Sequence, residues 1–402
     1  MRKVFGRGGI GPSRDNRPSL AALEKETTEI MENILLIASS ESDSNIYYAS
    51  GFLAPDSFIY LSTQGKTYLL MSDLEIDRAR AQSKVDDVLS YSDYEEKAKR
   101  FGAEPKFMDV VSALLKEHSI ADIAVPFNFP LEYGDALRAL GYTLSIKREP
   151  FFSARAIKTV SEVTAIRNAQ IAVEKAFDEV IDLLRKSEIK GNQIYWEGVL
   201  LTSEFVRQKL HLKMMENGCV AEHTIIACGV DACDPHNVGT GVLRANEPII
   251  FDIFPRSIET RYFADMSRTV VKGTASDPLK KLYDTVLEGQ ELGISRVRSG
   301  ANGKEIHEEI CALFEKRDYK TGRVDGRMQG FFHGTGHGVG LDIHEHPSIS
   351  RRDCTLQKGE VVTVEPGLYY PKIGAVRIED MVLVEENGCR NLTTYPKFLE
   401  ID

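Results

Sequence analysis

Nothing in this sequence reads as a membrane span: no stretch approaches the roughly 18 consecutive apolar residues that a transmembrane helix needs. Basic excess is missing too. Lysine and arginine total 50 against 60 aspartates and glutamates, for a net charge of −10. Neither a nucleic acid nor a membrane is therefore the expected partner. None of the six cysteines precedes Cys219, and no two have the two-residue spacing of a zinc knuckle or redox motif. They are expected to be reduced thiols of a cytoplasmic protein. The opening Met1-Arg2-Lys3-Val4-Phe5-Gly6-Arg7 has charge but no apolar stretch behind it, so no secretory signal is expected. No tandem repeat with a period of about 20–50 residues is visible.

What is present is an ordinary globular balance, 42% hydrophobic and 27% charged, which excludes disorder as the main state. The 402 residues suffice for two domains. Gly8-Gly9, Pro12 and Pro18 in a polar setting predict an extended arm over residues 1–20. Strands and helices then alternate: a buried strand at 34–38, a hairpin of 58–61 and 68–71 about Gln64-Gly65, a helix from 107 to 115, a strand at 121–125 and a helix at 131–140. This first part carries no cluster of ligand-type residues and is expected to be a scaffold. Past a boundary at 154/155, Thr159-x-x-Glu162 is a capping box opening a long helix. Its apolar stripe is Val163, Ile166, Ile171, Val173, Phe177, Val180, Ile181 and Leu184. Asp277-Pro278 predicts another helix start, with the aspartate as N-cap.

The chemistry-bearing residues lie in this second part. Asp252 stands alone in the apolar run 248–255, and Asp265 alone in the run 262–271. Antiparallel pairing about a turn at Ile258-Glu259 would set them opposite each other, with Cβ atoms about 5 Å apart. The pattern recurs with Glu365 in 361–366 and Glu379 in 375–384, about a turn at 371–373. Carboxylates so close repel each other and lose hydration, which is costly without a compensating cation. A lone acid in an apolar strand is more often an edge residue or an ion-pair partner. Two such hairpins point instead to a duplicated architecture with one site between its halves. Eight of the nine histidines fall between His211 and His346, and His333, His337, His344 and His346 crowd one glycine-rich segment. Its glycines predict a loop whose backbone can approach a ligand closely. Four carboxylates and one imidazole match a pair of divalent cations. Two such ions roughly 3.5–4 Å apart can bind one water, lower its pKa toward neutrality and supply hydroxide for amide hydrolysis.

With these residues the sequence resembles the pita-bread metallopeptidases, which include methionine aminopeptidase, Xaa-Pro aminopeptidase and prolidase. His333-Gly-x-Gly-His337-x-x-Gly-x-x-x-His344-Glu345, Glu365-Pro-Gly-Leu-Tyr369 and Val376-Arg377-Ile378-Glu379-Asp380 are most similar to the prolidase and Xaa-Pro aminopeptidase branch, as is the closing Asn391-Leu392-Thr393 with Pro396-Lys397. Asn45-Ile46-Tyr47-Tyr48-x-x-Gly51-Phe52 resembles a creatinase-type N-terminal domain. The resemblance implies an α/β (α+β) protein: a smaller creatinase-like α/β domain over 1–154, then a pita-bread domain with pseudo-twofold duplicated halves over 155–402. It implies two divalent ions, manganese first and cobalt, zinc or iron otherwise. Asp252 would bind one ion bidentately, Asp265 and Glu379 would bridge, and His337 and Glu365 would complete the other. Glu365 would also shuttle the proton. His236 and His344 would donate hydrogen bonds near the scissile bond, His333 would line the pocket, Tyr369 would stand near it, and Arg377 would orient a bridging carboxylate.

The function implied is an exopeptidase that cleaves Xaa-Pro bonds, as an aminopeptidase or a dipeptidase. Its partner would be a peptide with proline after the cleaved bond, and it would form a homodimer. One departure stands beside the first aspartate. Many relatives have glycine two residues on, whereas Asp252-Ile253-Phe254-Pro255 places a bulky side chain there, and the pocket shape is expected to differ. His223 is expected to be a neutral replacement, and Asp342 and His346 solvated loop residues. Alternatives are a methionine-aminopeptidase-like enzyme, a creatinase-like hydrolase and a non-catalytic metal-binding scaffold. The long N-terminal part speaks against the first, and the intact set of five ligand-type residues against the other two.

Overall fold

The computed structural model describes residues 32–100 and 104–402; the arm expected over residues 1–20 lies outside them. The chain divides into two compact units, Met1–Phe151 and Phe152–Asp402. In the first, one six-stranded sheet has the order β4-β3-β2-β1-β5-β6, formed by β1 (Ile34–Ala38), β2 (Phe58–Thr63), β3 (Lys66–Met71), β4 (Asp87–Ser90), β5 (Asp122–Pro126) and β6 (Thr143–Lys147). Gln64 and Gly65, both at positive φ, close the β2–β3 hairpin. That pair of left-handed residues matches the twist of two adjoining antiparallel strands. Helix Phe107–Glu117 contributes Val111, Leu114 and Leu115 to the same core as Leu35, Ile59 and Ile123.

The second unit repeats one plan twice: two helices, then an antiparallel sheet. Helices α1 (Val160–Arg185) and α2 (Ser203–Glu216) precede β7 (Ile225–Cys228), β8 (Ile249–Ile253) and β9 (Met266–Lys272). Helices α3 (Asp277–Arg296) and α4 (Gly303–Lys316) precede β10 (Gly336–Gly338), β11 (Glu345–Ile349), β12 (Val361–Val364), β13 (Gly367–Tyr370), β14 (Gly374–Arg377) and β15 (Asp380–Val384). Each half has its own core. Ile166, Phe177 and Leu210 pack with Phe251 in the first, and Leu282, Ile310 and Phe314 pack with Val362 in the second. α1 opens on the expected capping box: Thr159 Oγ1 accepts from the Glu162 amide, and the Thr159 amide donates to Glu162 Oε2. Ile171 is only half-buried, and the small Ala169, Ala172 and Ala176 share the inner face instead. The N-cap of α3 is Ser276, one residue earlier than expected, because its hydroxyl reaches the Leu279 amide; Asp277 opens the first turn.

Register decides where the acids stand. β8 pairs with β9 so that Asp252 faces Ser267, not Asp265. The bridge between Arg256 and Phe263 continues the same register. The turn is therefore centred one residue later than expected, and Asp265 precedes β9 diagonally from Asp252. A small hydroxyl residue fills the opposing place. In the second half, Val364 faces Asp380 and Gly367 faces Arg377, so the register on both sides sets Glu365 level with Glu379.

Arg268 on β9 ties the two hairpins together. Its side chain is buried and donates to the carbonyls of Ser267, Glu379 and Tyr395 and to Asp380 Oδ1 at 2.8 Å. Asp380 also accepts from Lys397 and Asn391. Removing one partner of a buried ion pair leaves the other uncompensated, at a cost of about 3–5 kcal/mol. Arg268→Met is accordingly expected to lose about 3–5 kcal/mol in denaturant unfolding of the second unit. Wild-type stability would show that the carbonyls and Asp380 are satisfied without it.

Candidate active site

The two hairpins and the histidine segment converge on one cavity of about 550 Å³. Asp252, Asp265, His337, Glu365 and Glu379 line it, and so do His236, His333, His344 and Arg377. Phe254, Phe332, Ile225 and Ile343 supply apolar wall. Among the described residues, Asp265, His337 and Glu379 bring their ligand-type atoms within 4.8 Å of one another. Glu365 Oε1 lies 3.5 Å from His337 Nε2, and Asp265 Oδ2 lies 3.6 Å from it. Asp252 stands slightly apart, paired with Arg377 Nη2 at 2.7 Å.

The glycine-rich segment is only in part the loop the sequence suggested, since residues 339–344 are irregular but its middle is a strand. Gly336–Gly338 forms the short strand β10, paired on both sides. A Cβ at Gly336 would stand 1.9 Å from the Thr363 carbonyl oxygen. The close backbone approach is thus to a neighbouring strand, and it sets the depth at which His337 enters the cavity. Thr363 Oγ1 accepts from the His337 amide, and the Thr335 carbonyl accepts from the Glu365 amide at 2.7 Å.

Hydrogen bonds settle the imidazole tautomers. The Gly338 carbonyl can only accept, so His337 Nδ1 carries the proton in that 3.2 Å contact and the Nε2 lone pair faces the carboxylates. Burial, with His344 nearby, pushes the His337 imidazole down to about 3 and keeps it neutral. His333 also donates through Nδ1, to the Gly334 carbonyl, and its Nε2 accepts from the Tyr369 hydroxyl at 2.9 Å. The Tyr369 oxygen in turn accepts from Arg377 Nη1. Both His333 nitrogens are thereby engaged within the protein; the residue lines the cavity and fixes Tyr369 rather than presenting an N–H to it. His344 sets its ring edge-on to His337, 4.4 Å between centroids. Burial and His236 lower its pKa, against Asp252.

The carboxyls are pushed the other way. Burial, then repulsion from Glu379, Asp252 and Glu365, holds Asp265 far above the usual range. Glu365 is raised by burial and Glu379, and Glu379 is raised to about 8 by burial and Asp252. One guanidinium, already given to Asp252, does not balance four acids. Asp265 Oδ1 is buried with no hydrogen-bond partner at all. A buried oxygen left without a donor is a feature that needs an explanation, and a divalent cation would supply it. The donor set of carboxylate oxygens with one neutral imidazole nitrogen suits manganese, iron, cobalt or zinc.

Several site residues carried no signal in the sequence. Ser267 Oγ donates to Glu379 Oε2 at 2.9 Å and accepts from Arg377 Nε. Arg377 therefore reaches Glu379 through a hydroxyl and grips Asp252 directly. Thr269 Oγ1 exchanges hydrogen bonds with the Arg377 backbone. These partners sit more than 100 residues apart, beyond any local pattern. Asp342 is an exposed loop residue, as expected, and also accepts from Arg155 at 2.8 Å. His223 and His346 are exposed. Phe254 faces the cavity as its position beside Asp252 suggested.

Comparison with known proteins gives the same picture. The Creatinase/Prolidase N-terminal domain model matches residues 25–142. An Xaa-Pro dipeptidase of Pyrococcus furiosus is 29% identical over 361 residues, covering 87% of this chain and 90% of its own. Xaa-Pro aminopeptidase 1 of Streptomyces coelicolor is 33% identical over 266 residues, 60% of this chain and 52% of that one. The crystal structure of the prolidase from Pyrococcus horikoshii OT3 superposes with a TM-score of 0.73 at 26% identity, covering 91% of this chain and 95% of that one. The model of metallopeptidase family M24 matches residues 164–386, more than half of the 402 residues and the stretch that builds the cavity. The chain belongs to metallopeptidase family M24, a peptidase of pita-bread fold behind a Creatinase/Prolidase N-terminal domain.

Proposed function

We propose that this peptidase hydrolyses the bond before proline at the amino end of a peptide, using two divalent ions. The observation that carries the reading is the cluster of four buried or half-buried carboxylates in which Asp265 Oδ1 lacks any donor. The names of the similar proteins, Xaa-Pro dipeptidase and Xaa-Pro aminopeptidase, support the substrate class. Asp252, Asp265, His337, Glu365 and Glu379 would hold the ions, with manganese the first candidate. Bound there, the ions supply Lewis acidity that activates water for attack on the peptide carbonyl.

The chain's own residues do the rest. Glu365 accepts a proton from the attacking water and returns it to the leaving proline nitrogen. His344 and His236, on the cavity wall, donate N–H groups to the oxygen on which charge develops. Phe254, Phe332 and Ile343 exclude water and offer an apolar surface to the pyrrolidine ring. Arg377 and Ser267 hold Asp252 and Glu379 in place. The homodimer and the cytoplasmic setting belong to the same reading.

Metal-reconstituted enzyme assayed on an Xaa-Pro dipeptide and on a longer Xaa-Pro peptide tests the reading. Cleavage of the dipeptide alone means a dipeptidase, and cleavage of the longer peptide an aminopeptidase. Cleavage of neither, with metal bound, refutes it. Asp265→Ala is expected to abolish activity and lower metal content. His344→Ala should keep its metal while kcat falls about 10²–10³-fold, the usual loss for one oxyanion donor. Loss of both ions in His344→Ala would contradict the separation of ligand from donor.

The carboxyl shifts make a further prediction. Asp265, Glu365 and Glu379 hold protons in the folded metal-free protein that the unfolded chain has already released, so folding takes up protons and stability falls as pH rises. The loss runs from the ordinary carboxylate range through about 8, the value for Glu379. The melting temperature of chelator-treated protein should fall between about pH 5 and 8, and added manganese should raise it more at pH 8 than at pH 5. A metal-induced gain independent of pH would argue against these carboxyls as the ligands.

A further inference from the structure

The turn between β10 and β11 carries two cavity residues, Ile343 and His344. Of the residues on either side of them, Glu345 faces the other way into a buried ionic cluster, and Asp342, half exposed, borders it. Glu345 accepts from Arg155 Nη2 through one oxygen and from Lys158 Nζ at 2.9 Å through the other. Arg155 Nη2 also reaches Asp342 Oδ2 at 2.8 Å. The side chains of Lys158 and Glu345 keep only 2% and 8% of their surface, and that of Arg155 9%. Glu345 Oε1 further accepts from the Asp342 amide at 3.0 Å, which folds the turn onto its own carboxylate. Gly340 leaves room for this, since a Cβ there would stand 2.4 Å from Glu345 Oε2. Lys158 is itself anchored, its amide donating to the Gly359 carbonyl at 2.8 Å and its ammonium to the Arg155 carbonyl at 2.7 Å.

A buried ionic cluster of this kind adds little net stability over apolar packing, and its best-attested use is to select one geometry. The geometry selected here is that of the residue beside Glu345. We propose that Arg155 and Lys158, gripping Glu345, are positioning residues that hold the 339–344 turn so that His344 stands edge-on to His337 at the cavity. The proposal rests on the role given to His344 in the reading above. The three charged residues touch no reacting atom; they act through the backbone of one turn. Misplacement of a reacting group by about 1 Å can cost on the order of 10²-fold in rate, so a small shift of this turn would be felt.

Glu345→Gln keeps the shape and removes the charge. With manganese-loaded enzyme and an Xaa-Pro dipeptide, kcat should fall about 10–100-fold with KM and metal content at wild-type values. In a His344→Ala background the same change should alter kcat by less than about 2-fold, because the residue it acts through is gone. Equal losses in both backgrounds, or wild-type kcat in Glu345→Gln, overturn the proposal. A second readout needs neither metal nor activity. In metal-free protein with ¹⁵N-labelled histidine, Glu345→Gln should shift the ring resonances that vanish in His344→Ala while leaving those of His211 in place. Unmoved His344 resonances overturn the proposal whatever the rates. If Glu345→Gln fails to fold, Lys158→Met, which withdraws one of the two cations, takes its place with the same expected outcomes. Should His344→Ala prove as fast as wild type, the catalytic role of His344 fails while the spectrum still decides the clasp.

Discussion

Four carboxyl groups crowd one cavity with one guanidinium among them, and that guanidinium is committed to Asp252. The imbalance governs much of what surrounds it. Asp265 and Glu379 are buried where water cannot screen them; after burial itself, Glu379 raises the pKa of Asp265 and Asp252 raises that of Glu379. Protons or cations must supply what Arg377 does not. The nearby hydrogen bonds leave that vacancy of charge open. Ser267 takes one oxygen of Glu379, the Glu365 amide goes to Thr335, and Asp265 Oδ1 takes no donor at all. A scaffold selected only for stability would have filled this place with apolar side chains, since lone buried charges are expensive.

Holding such a cluster open requires rigidity from elsewhere, and the duplication provides it. Each half packs two helices against an antiparallel sheet, so each acid-bearing hairpin rests on its own core. Arg268 and Asp380 cross between the hairpins, and Lys397 and Asn391 close the arrangement from the end of the chain. The Arg268–Asp380 pair at its centre is buried and well satisfied, unlike the carboxyl cluster a few residues away. Asp380 is pulled low by Arg268 and Lys397 despite its burial, while its neighbour Glu379 is pushed up to about 8. Adjacent acids thus take opposite electrostatic fates, because one points at cations of the chain and the other at the cavity.

How much of this was legible in the sequence follows from the range of each interaction. Alternation of apolar residues around lone acids revealed all four carboxyls, and the histidine segment revealed His337, because these signals are local. The Thr159 and Glu162 box is four residues long and formed as read. Register was less accessible. Glu365 and Glu379 came out level, but the first hairpin turned one residue later, and nothing in its sequence distinguished a turn at 258–259 from one centred at 259–260. The glycines were recognised as close-approach positions while the partner was not: Gly336 makes room for Thr363 rather than for a ligand. Ser267, Thr269 and the pairing of Arg155 with Asp342 and Glu345 were invisible, since each depends on a partner more than 100 residues away.

The imidazoles complete the electrostatic argument. His333 and His337 are both held neutral, yet with different consequences. At His337 the backbone takes Nδ1–H and leaves Nε2 free toward three acids, the arrangement of a ligand. At His333 the backbone takes Nδ1–H as well, but Tyr369 fills Nε2, and Arg377 fills the tyrosine oxygen. Two histidines four residues apart, on one segment and in one tautomer, are thus separated by a single hydroxyl. That hydroxyl lies on the strand paired with the one carrying Arg377, so the hairpin that orients Asp252 also withdraws His333 from competition for a cation. The number of free imidazole nitrogens facing the acids is thereby set by the hairpin's register, and the residue types alone do not determine it.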